Sequence, residues 1–169
     1  MNRHQQLENG ARPQTIVITV DNEPGTLARV AGLYTGRGWN IDSLTVYVDP
    51  AERDVAVMTL KLMATDALAK QVENQIRRII SVHEVKNLTG NPHRIELQLV
   101  LIRIVLRKRV DPHKVIDAAN SLGCIMHGGQ EPGVLAFSKA SSEQSCAELA
   151  AMLRKFGKVT SNGSGTVAL

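Results

Sequence analysis

The stretch from Thr15 to Val48 limits most strongly how this 169-residue chain can fold. β-Branched residues fill nearly every position from Thr15 to Val20, which predicts a strand. The polar turn Asp21-Asn22-Glu23-Pro24-Gly25 follows, and then a segment with apolar residues at helical spacing. A second alternating segment, Ile41 to Val48, predicts a second strand. The chain must therefore build a strand–helix–strand unit here.

Further strand and helix patterns follow this stretch. Asp54 to Met63 predicts a third strand, Asp66 opens a second helix, and Val82 to Leu88 predicts a fourth strand. Gly36 and Gly38 are expected to end the first helix. The second helix has an apolar stripe of Leu68, Val72, Ile76, Ile79 and Ile80. The resulting order, βαββαβ, predicts a split βαβ sandwich with both helices on one face of the sheet.

The second half of the chain repeats this order. Thr89-Gly90-Asn91-Pro92 is rich in turn formers and predicts a boundary. Strands are expected at Ile95–Leu106, Cys124–His127, Val134–Lys139 and Val159–Leu169, and helices after Asp111-Pro112 and after Ser141 or Ser142. We therefore predict an α+β protein with two ferredoxin-like βαββαβ units. Its expected parts are a disordered leader at 1–13 and domains at 14–90 and 91–169.

The composition of the chain argues against several classes of protein, among them membrane-spanning and secreted proteins. No apolar run approaches the ~20 residues that a membrane span needs, and the N-terminus has no apolar core of a secretory signal. Cys124 and Cys146 are far apart and form no CxxC pair, so each is expected to be a small core residue. These features favour a cytoplasmic protein without a disulfide framework or a metal site.

Charge and aromatic content argue against nucleic-acid binding. Residues 14–90 hold eight basic and nine acidic residues, whereas residues 91–169 hold ten basic and six acidic residues. The mildly basic second half has its densest run at Arg107-Lys108-Arg109, which is typical of a solvated strand end. An RNA-binding βαββαβ domain would present stacking aromatics on its middle strands, and the first unit offers only Tyr47.

Catalytic motifs are not found in the sequence. The five histidines show no HExxH spacing, and no serine lies in a GxSxG elbow. Asn162-Gly163-Ser164-Gly165 has no following helix and cannot serve as a dinucleotide loop. These observations favour a non-catalytic binding or regulatory protein.

The turn at Asp21–Gly25 is the candidate binding site. A helix N-terminus presents free backbone N–H groups and a positive dipole end, so it attracts an anionic group. An ordinary capped strand–helix turn is equally compatible with these residues, and the local chemistry leaves both interpretations open.

The residues around this turn also resemble a known family. Asn22-Glu23-Pro24-Gly25-Thr26-Leu27-Ala28-Arg29-Val30 is similar to the turn shared by amino-acid-sensing ACT domains. Its combination with Arg37-Gly38-Trp39-Asn40-Ile41-Asp42-Ser43-Leu44-Thr45-Val46 resembles the small, regulatory subunit of acetolactate (acetohydroxyacid) synthase. The resemblance continues through Val85–Gly90 and is loose in the second half.

The resemblance implies a non-catalytic regulatory subunit with an N-terminal ACT domain and a C-terminal ACT-like domain for docking or dimer support. Such subunits activate a large catalytic subunit, which carries thiamine diphosphate, magnesium and FAD, and confer feedback inhibition by valine or another branched-chain amino acid. ACT domains of this type pair side by side as a homodimer that binds the amino acid between protomers. A stand-alone ACT sensor with another partner is the alternative.

The resemblance also implies which residues bind the effector. The carboxylate of the amino acid is expected over the N–H groups around Gly25, Thr26 and Leu27. Asn22 and Asn40 would bind its charged groups, and Ile41 and Leu27 would border an apolar slot. The family pattern places Asn40 and Ile41 on the protomer opposite the turn.

This chain departs from the family at two places. Tyr47 stands where the family usually has a smaller residue, so it is expected to narrow the pocket or change ligand preference. Val110-Asp111-Pro112-His113 replaces the Asn-x-x-Gly turn in the second half, which argues against a second sensor there.

Overall fold

The computed structural model describes residues 10–35, 40–128 and 131–169. Three predicted features lie outside these residues, wholly or in part: the leader before Gly10, the turn at 36–39, and the Gly129-Gln130 part of the segment that joins the predicted strands Cys124–His127 and Val134–Lys139. The chain divides into two compact units. One comprises the residues up to Ile95 together with Thr166–Leu169, and the other comprises Glu96–Gly165.

The first unit contains four antiparallel strands in the order β2-β3-β1-β4 and two helices. Its elements are β1 (Arg12–Asp21), α1 (Thr26–Thr35), β2 (Ser43–Val48), β3 (Val55–Ala64), α2 (Asp66–Ile76) and β4 (Val82–Asn87). Alternate residues of the central strands pack with the helices because successive strand side chains point to opposite faces. The core contains Ile16, Ile18, Val20, Val30, Met58, Leu60, Leu62, Val72, Ile76 and Val85.

The second unit repeats this arrangement in the strand order β6-β7-β5-β8. Its elements are β5 (Glu96–Leu106), α3 (Pro112–Ser121), β6 (Ile125–Met126), β7 (Val134–Ser141), α4 (Glu143–Leu153) and β8 (Gly157–Ala168). The last residues of β8, from Thr166 on, belong to the first unit. Asp111 caps α3 and Ser142 caps α4 through hydrogen bonds to backbone N–H groups. The α+β class with two βαββαβ units is therefore confirmed.

The two cysteines are free, buried thiols in the core of the second unit, as predicted. Burial raises the pKa of Cys124, since removal from water disfavours the thiolate. No helix in the described part of the chain is long and apolar enough to cross a membrane.

Several element ends differ from the sequence prediction. β1 begins at Arg12, so Arg12 and Pro13, which were assigned to the leader, belong to the strand. Helix α2 ends at Ile76, and Ile80 is 100% exposed. The prediction that Ile80 continues the apolar stripe was wrong, because the chain turns between Arg77 and Ser81. The first unit also extends beyond the predicted Gly90 boundary to Ile95.

We expect the Arg12–Asp66 pair to make stability depend on pH. Arg12 Nε donates to Asp66 Oδ1 at 2.9 Å, and this bond and one from Gln14 lower the pKa of Asp66. A lowered pKa stabilises the fold above the ordinary aspartate value of about 4, and this stabilisation is lost as pH falls through the lowered pKa. Asp66→Asn should therefore lower the melting temperature at neutral pH and have little effect near about pH 2. Asp117→Asn is the control, and an equal loss at both pH values would contradict the linkage.

Gly157 is a second determinant of stability. A Cβ atom at this position would overlap with the Val105 carbonyl oxygen. Gly157→Ala must therefore push β8 away from β5, and we expect a loss of about 3 kcal/mol in the free energy of unfolding. Gly163→Ala on the same strand is the matched control, because its Cβ would lie 3.7 Å from the Leu99 oxygen. Equal urea midpoints for the two variants would contradict the close approach.

Candidate functional site

The turn after β1 is held from two sides by backbone hydrogen bonds. Asp21 N–H donates to the Ser81 carbonyl at 2.8 Å, and Asn22 N–H donates to the Asp54 carbonyl at 2.8 Å. Ser81 precedes β4 and Asp54 precedes β3, the two strands that flank β1 in the sheet. The sheet order therefore fixes where the turn begins.

Gly25 redirects the chain into α1. Its φ of +89° lies in the left-handed region, which glycine adopts without steric strain. The first helical hydrogen bond runs from Arg29 N–H to the Gly25 carbonyl at 2.9 Å, and Thr26 N–H donates to Glu23 at 3.2 Å. Within the described residues, the N–H groups of Leu27 and Ala28 have no acceptor. The start of α1 can therefore donate two backbone hydrogen bonds to an anion.

The side chains at the turn have different roles. Asn22 Nδ2 donates to the Arg53 carbonyl at 2.8 Å, which leaves its Oδ1 as the atom that can accept from a ligand. Thr26 is only 2% exposed, and its hydroxyl contacts Ser81 Oγ at 3.4 Å. The Thr26 side chain is therefore not available to a ligand, and its N–H already donates to the Glu23 carbonyl. The Leu27 side chain is 45% exposed and offers apolar surface next to the free N–H groups.

Asn40 and Ile41 form a separate segment that leads into β2. Asn40 is exposed, whereas Ile41 is partly buried against the core of the first unit. Asp42 N–H donates to the Lys61 carbonyl at 3.0 Å and fixes the entry to β2. The structure thus brings Asn22, Gly25, Thr26 and Leu27 together at one turn and places Asn40 and Ile41 at the start of an edge strand.

Three residues at the turn were missed by the sequence analysis. Ser81 receives the Asp21 N–H and contacts Thr26, and Arg53 supplies the carbonyl for Asn22. His83 Nε2 lies 2.6 Å from Asp21 Oδ1 at the same end of the sheet. These contacts join residues 31 to 62 positions apart, so no local sequence pattern could have revealed them.

A cavity of about 450 Å³ lies elsewhere, within the second unit. It is open, and it is lined by Leu101, Ile102, Arg103, His127, Ala136, Phe137, Thr160, Ser161 and Asn162. None of the predicted effector residues line it. The amino-acid site that the family resemblance implies is the turn after β1, which lies outside this cavity. Among the described residues, no group of three or more metal-ligating side chains could hold an ion.

Comparison with known proteins places the chain in a family. The family model described as the AHAS small subunit-like ACT domain matches residues 16–84. A probable acetolactate synthase small subunit from Archaeoglobus fulgidus is 32% identical over 144 residues, which cover 80% of this chain and 90% of the relative. The chain belongs to the acetolactate synthase small-subunit family. The predicted resemblance is therefore confirmed.

Other small subunits agree with this placement. The acetolactate synthase small subunit of Aquifex aeolicus is 39% identical over 93 residues, which span 55% of this chain and about half (47%) of the relative. The crystal structure of the small subunit from Thermotoga maritima superimposes with a TM-score of 0.82 at 20% identity, covering 94% of this chain and 96% of that one. At this identity the structural match supports the fold alone.

Proposed function

We propose that this protein is the regulatory subunit of an acetolactate synthase. It activates the catalytic large subunit and makes it sensitive to feedback inhibition by valine or another branched-chain amino acid. The observation that carries this proposal is the pair of free N–H groups, on Leu27 and Ala28, at the start of α1 in a small-subunit-family chain. They form an anion-binding position beside exposed apolar surface, which suits an aliphatic amino acid.

The proposed effector makes three kinds of contact. Its carboxylate accepts hydrogen bonds at the start of α1, next to Gly25. Its ammonium group donates to Asn22 Oδ1, the amide atom that Arg53 leaves available, and to Asn40 Oδ1. Its side chain lies against Leu27 and Ile41. A slot of this kind distinguishes aliphatic side chains by only ~1–3 kcal/mol per methylene, so several branched-chain amino acids can compete.

The dimer in this proposal forms along β2. This strand lies at the edge of the sheet and pairs with β3 alone among the described strands, so its other edge is available to a second copy. Asn40 and Ile41 directly precede β2. Side-by-side pairing of two β2 strands would therefore carry this segment toward the partner copy, whose turn it completes. Tyr47, 56% exposed on β2, would lie at that interface and shape the pocket.

In this proposal all catalytic chemistry belongs to the large subunit, which would hold thiamine diphosphate, magnesium and FAD in the cytoplasm. The test is reconstitution: the purified chain is mixed with an acetolactate synthase large subunit, and acetolactate formation is measured with and without valine. We expect stimulation by the chain and inhibition by valine. A chain that binds valine without altering acetolactate formation would instead be a stand-alone sensor with another partner.

Gly25→Asp should abolish inhibition by valine. The new carboxylate would occupy the position proposed for the carboxylate of the effector, and the repulsion should weaken valine binding at least about tenfold. Gly25→Asn is the matched control, because it imposes the same backbone strain at φ +89° without the charge. Stimulation of the large subunit by both variants shows that they fold and dock. Equal valine inhibition with the two variants would place the carboxylate elsewhere.

Asn40→Ala should weaken valine binding without exposing the core. Loss of a hydrogen bond to a charged group costs about 1.5–3 kcal/mol, which corresponds to a roughly 10- to 100-fold higher Kd. Isothermal titration calorimetry measures this change directly. Asn162→Ala, at an exposed asparagine of the second unit, is the control. An unchanged Kd for Asn40→Ala would remove Asn40 from the site.

A further inference from the structure

Two side-chain hydroxyls of β2 bind the backbone of Thr166, which belongs to the first unit. Thr45 Oγ1 donates to the Thr166 carbonyl at 2.8 Å, and Thr166 N–H donates to Ser43 Oγ at 3.3 Å. Ser43 and Thr45 are half-buried, and Thr166 is buried. Ser43 and Thr45 are two positions apart, so their side chains point to the same face of β2. Both backbone groups of Thr166 are thus bonded to one strand.

These bonds complete the anchoring of the segment that contains Asn40. On the core face, Ile41 and Leu44 pack against the apolar cluster of the first unit. In the sheet, Asp42 N–H donates to the Lys61 carbonyl. On the opposite face, Ser43 and Thr45 are bonded to Thr166. The position of Asn40 therefore depends on anchors on both faces of the strand.

We infer that Ser43 and Thr45 are positioning residues for the effector segment Asn40–Ile41, and that Thr166 holds them in place. The inference rests on the proposed function and adds three residues that need not touch the effector. A segment that is already fixed loses less conformational freedom when a ligand binds, so its anchors increase affinity. Loss of one anchor should let the segment move and weaken binding.

The experiment compares Thr45→Val, which removes the hydroxyl, with Thr45→Ser, which retains it. Thr19→Val makes the same change on β1, two strands away, and is the matched control. Two quantities are measured on the full chain: amide hydrogen exchange at Asp42 without ligand, and the Kd for valine by calorimetry. We expect Thr45→Val to accelerate exchange and to raise the Kd by about two- to tenfold, the effect of one lost hydrogen bond. Thr45→Ser and Thr19→Val should match the wild type.

Unchanged exchange at Asp42 in Thr45→Val would overturn the inference, as would faster exchange with an unchanged Kd. Faster exchange and a higher Kd in Thr45→Ser, equal to those in Thr45→Val, would also overturn the inference, because the hydroxyl would then be irrelevant. A wild-type chain that binds no branched-chain amino acid would contradict the proposed function instead. The exchange rates at Asp42 would then still decide whether Thr45 holds the segment in place.

Discussion

The candidate site depends on how the end of β1 is held in the sheet. Backbone hydrogen bonds from Asp21 to Ser81 and from Asn22 to Asp54 stop the strand at a fixed point. The positive φ of Gly25 then turns the chain so that α1 begins with two N–H groups that have no acceptor among the described residues. Because the two acceptors precede β4 and β3, the sheet order fixes where these two N–H groups lie. The proposed anion-binding position therefore depends on the fold through these few backbone groups.

The order of elements could be predicted from sequence because each unit buries one face of its sheet. Every second residue in the middle of β1 and β3 is apolar and buried, and this period of two specifies which side chains enter the core: Ile16, Ile18 and Val20 in β1, and Ala56, Met58, Leu60 and Leu62 in β3. Element ends were harder to predict. β1 extends to Arg12 because this residue pairs with Ala64 of β3. Its side chain also bonds to Asp66, 54 residues away, and no local pattern encodes such contacts. Ile80 continues the helical spacing in sequence, but the helix has already ended.

The candidate site, like the fold, could be predicted from the sequence only in part. The Asn-x-x-Gly turn and its glycine were recognisable because they are contiguous and chemically unusual. The burial of the Thr26 side chain could not be recognised in the sequence, because it depends on a contact with Ser81, 55 residues away. The available atom of Asn22 was likewise set by the Arg53 carbonyl, which a sequence pattern cannot show. Sequence therefore predicted which residues form the turn, and the structure showed which of their atoms remain available to a ligand.

We propose that the effector binds between two copies of this chain, and a mixed-dimer titration tests this arrangement most directly. Gly25→Asp and Asn40→Ala chains are unfolded together, refolded at equal concentration and titrated with valine. In a mixed dimer, one site would combine Gly25 of one copy with Asn40 of the other, and the second site would carry both defects. We predict that about one quarter of all sites regain wild-type affinity, since random pairing makes half of the dimers mixed. A mixture that binds valine no better than the separate variants would contradict a shared site.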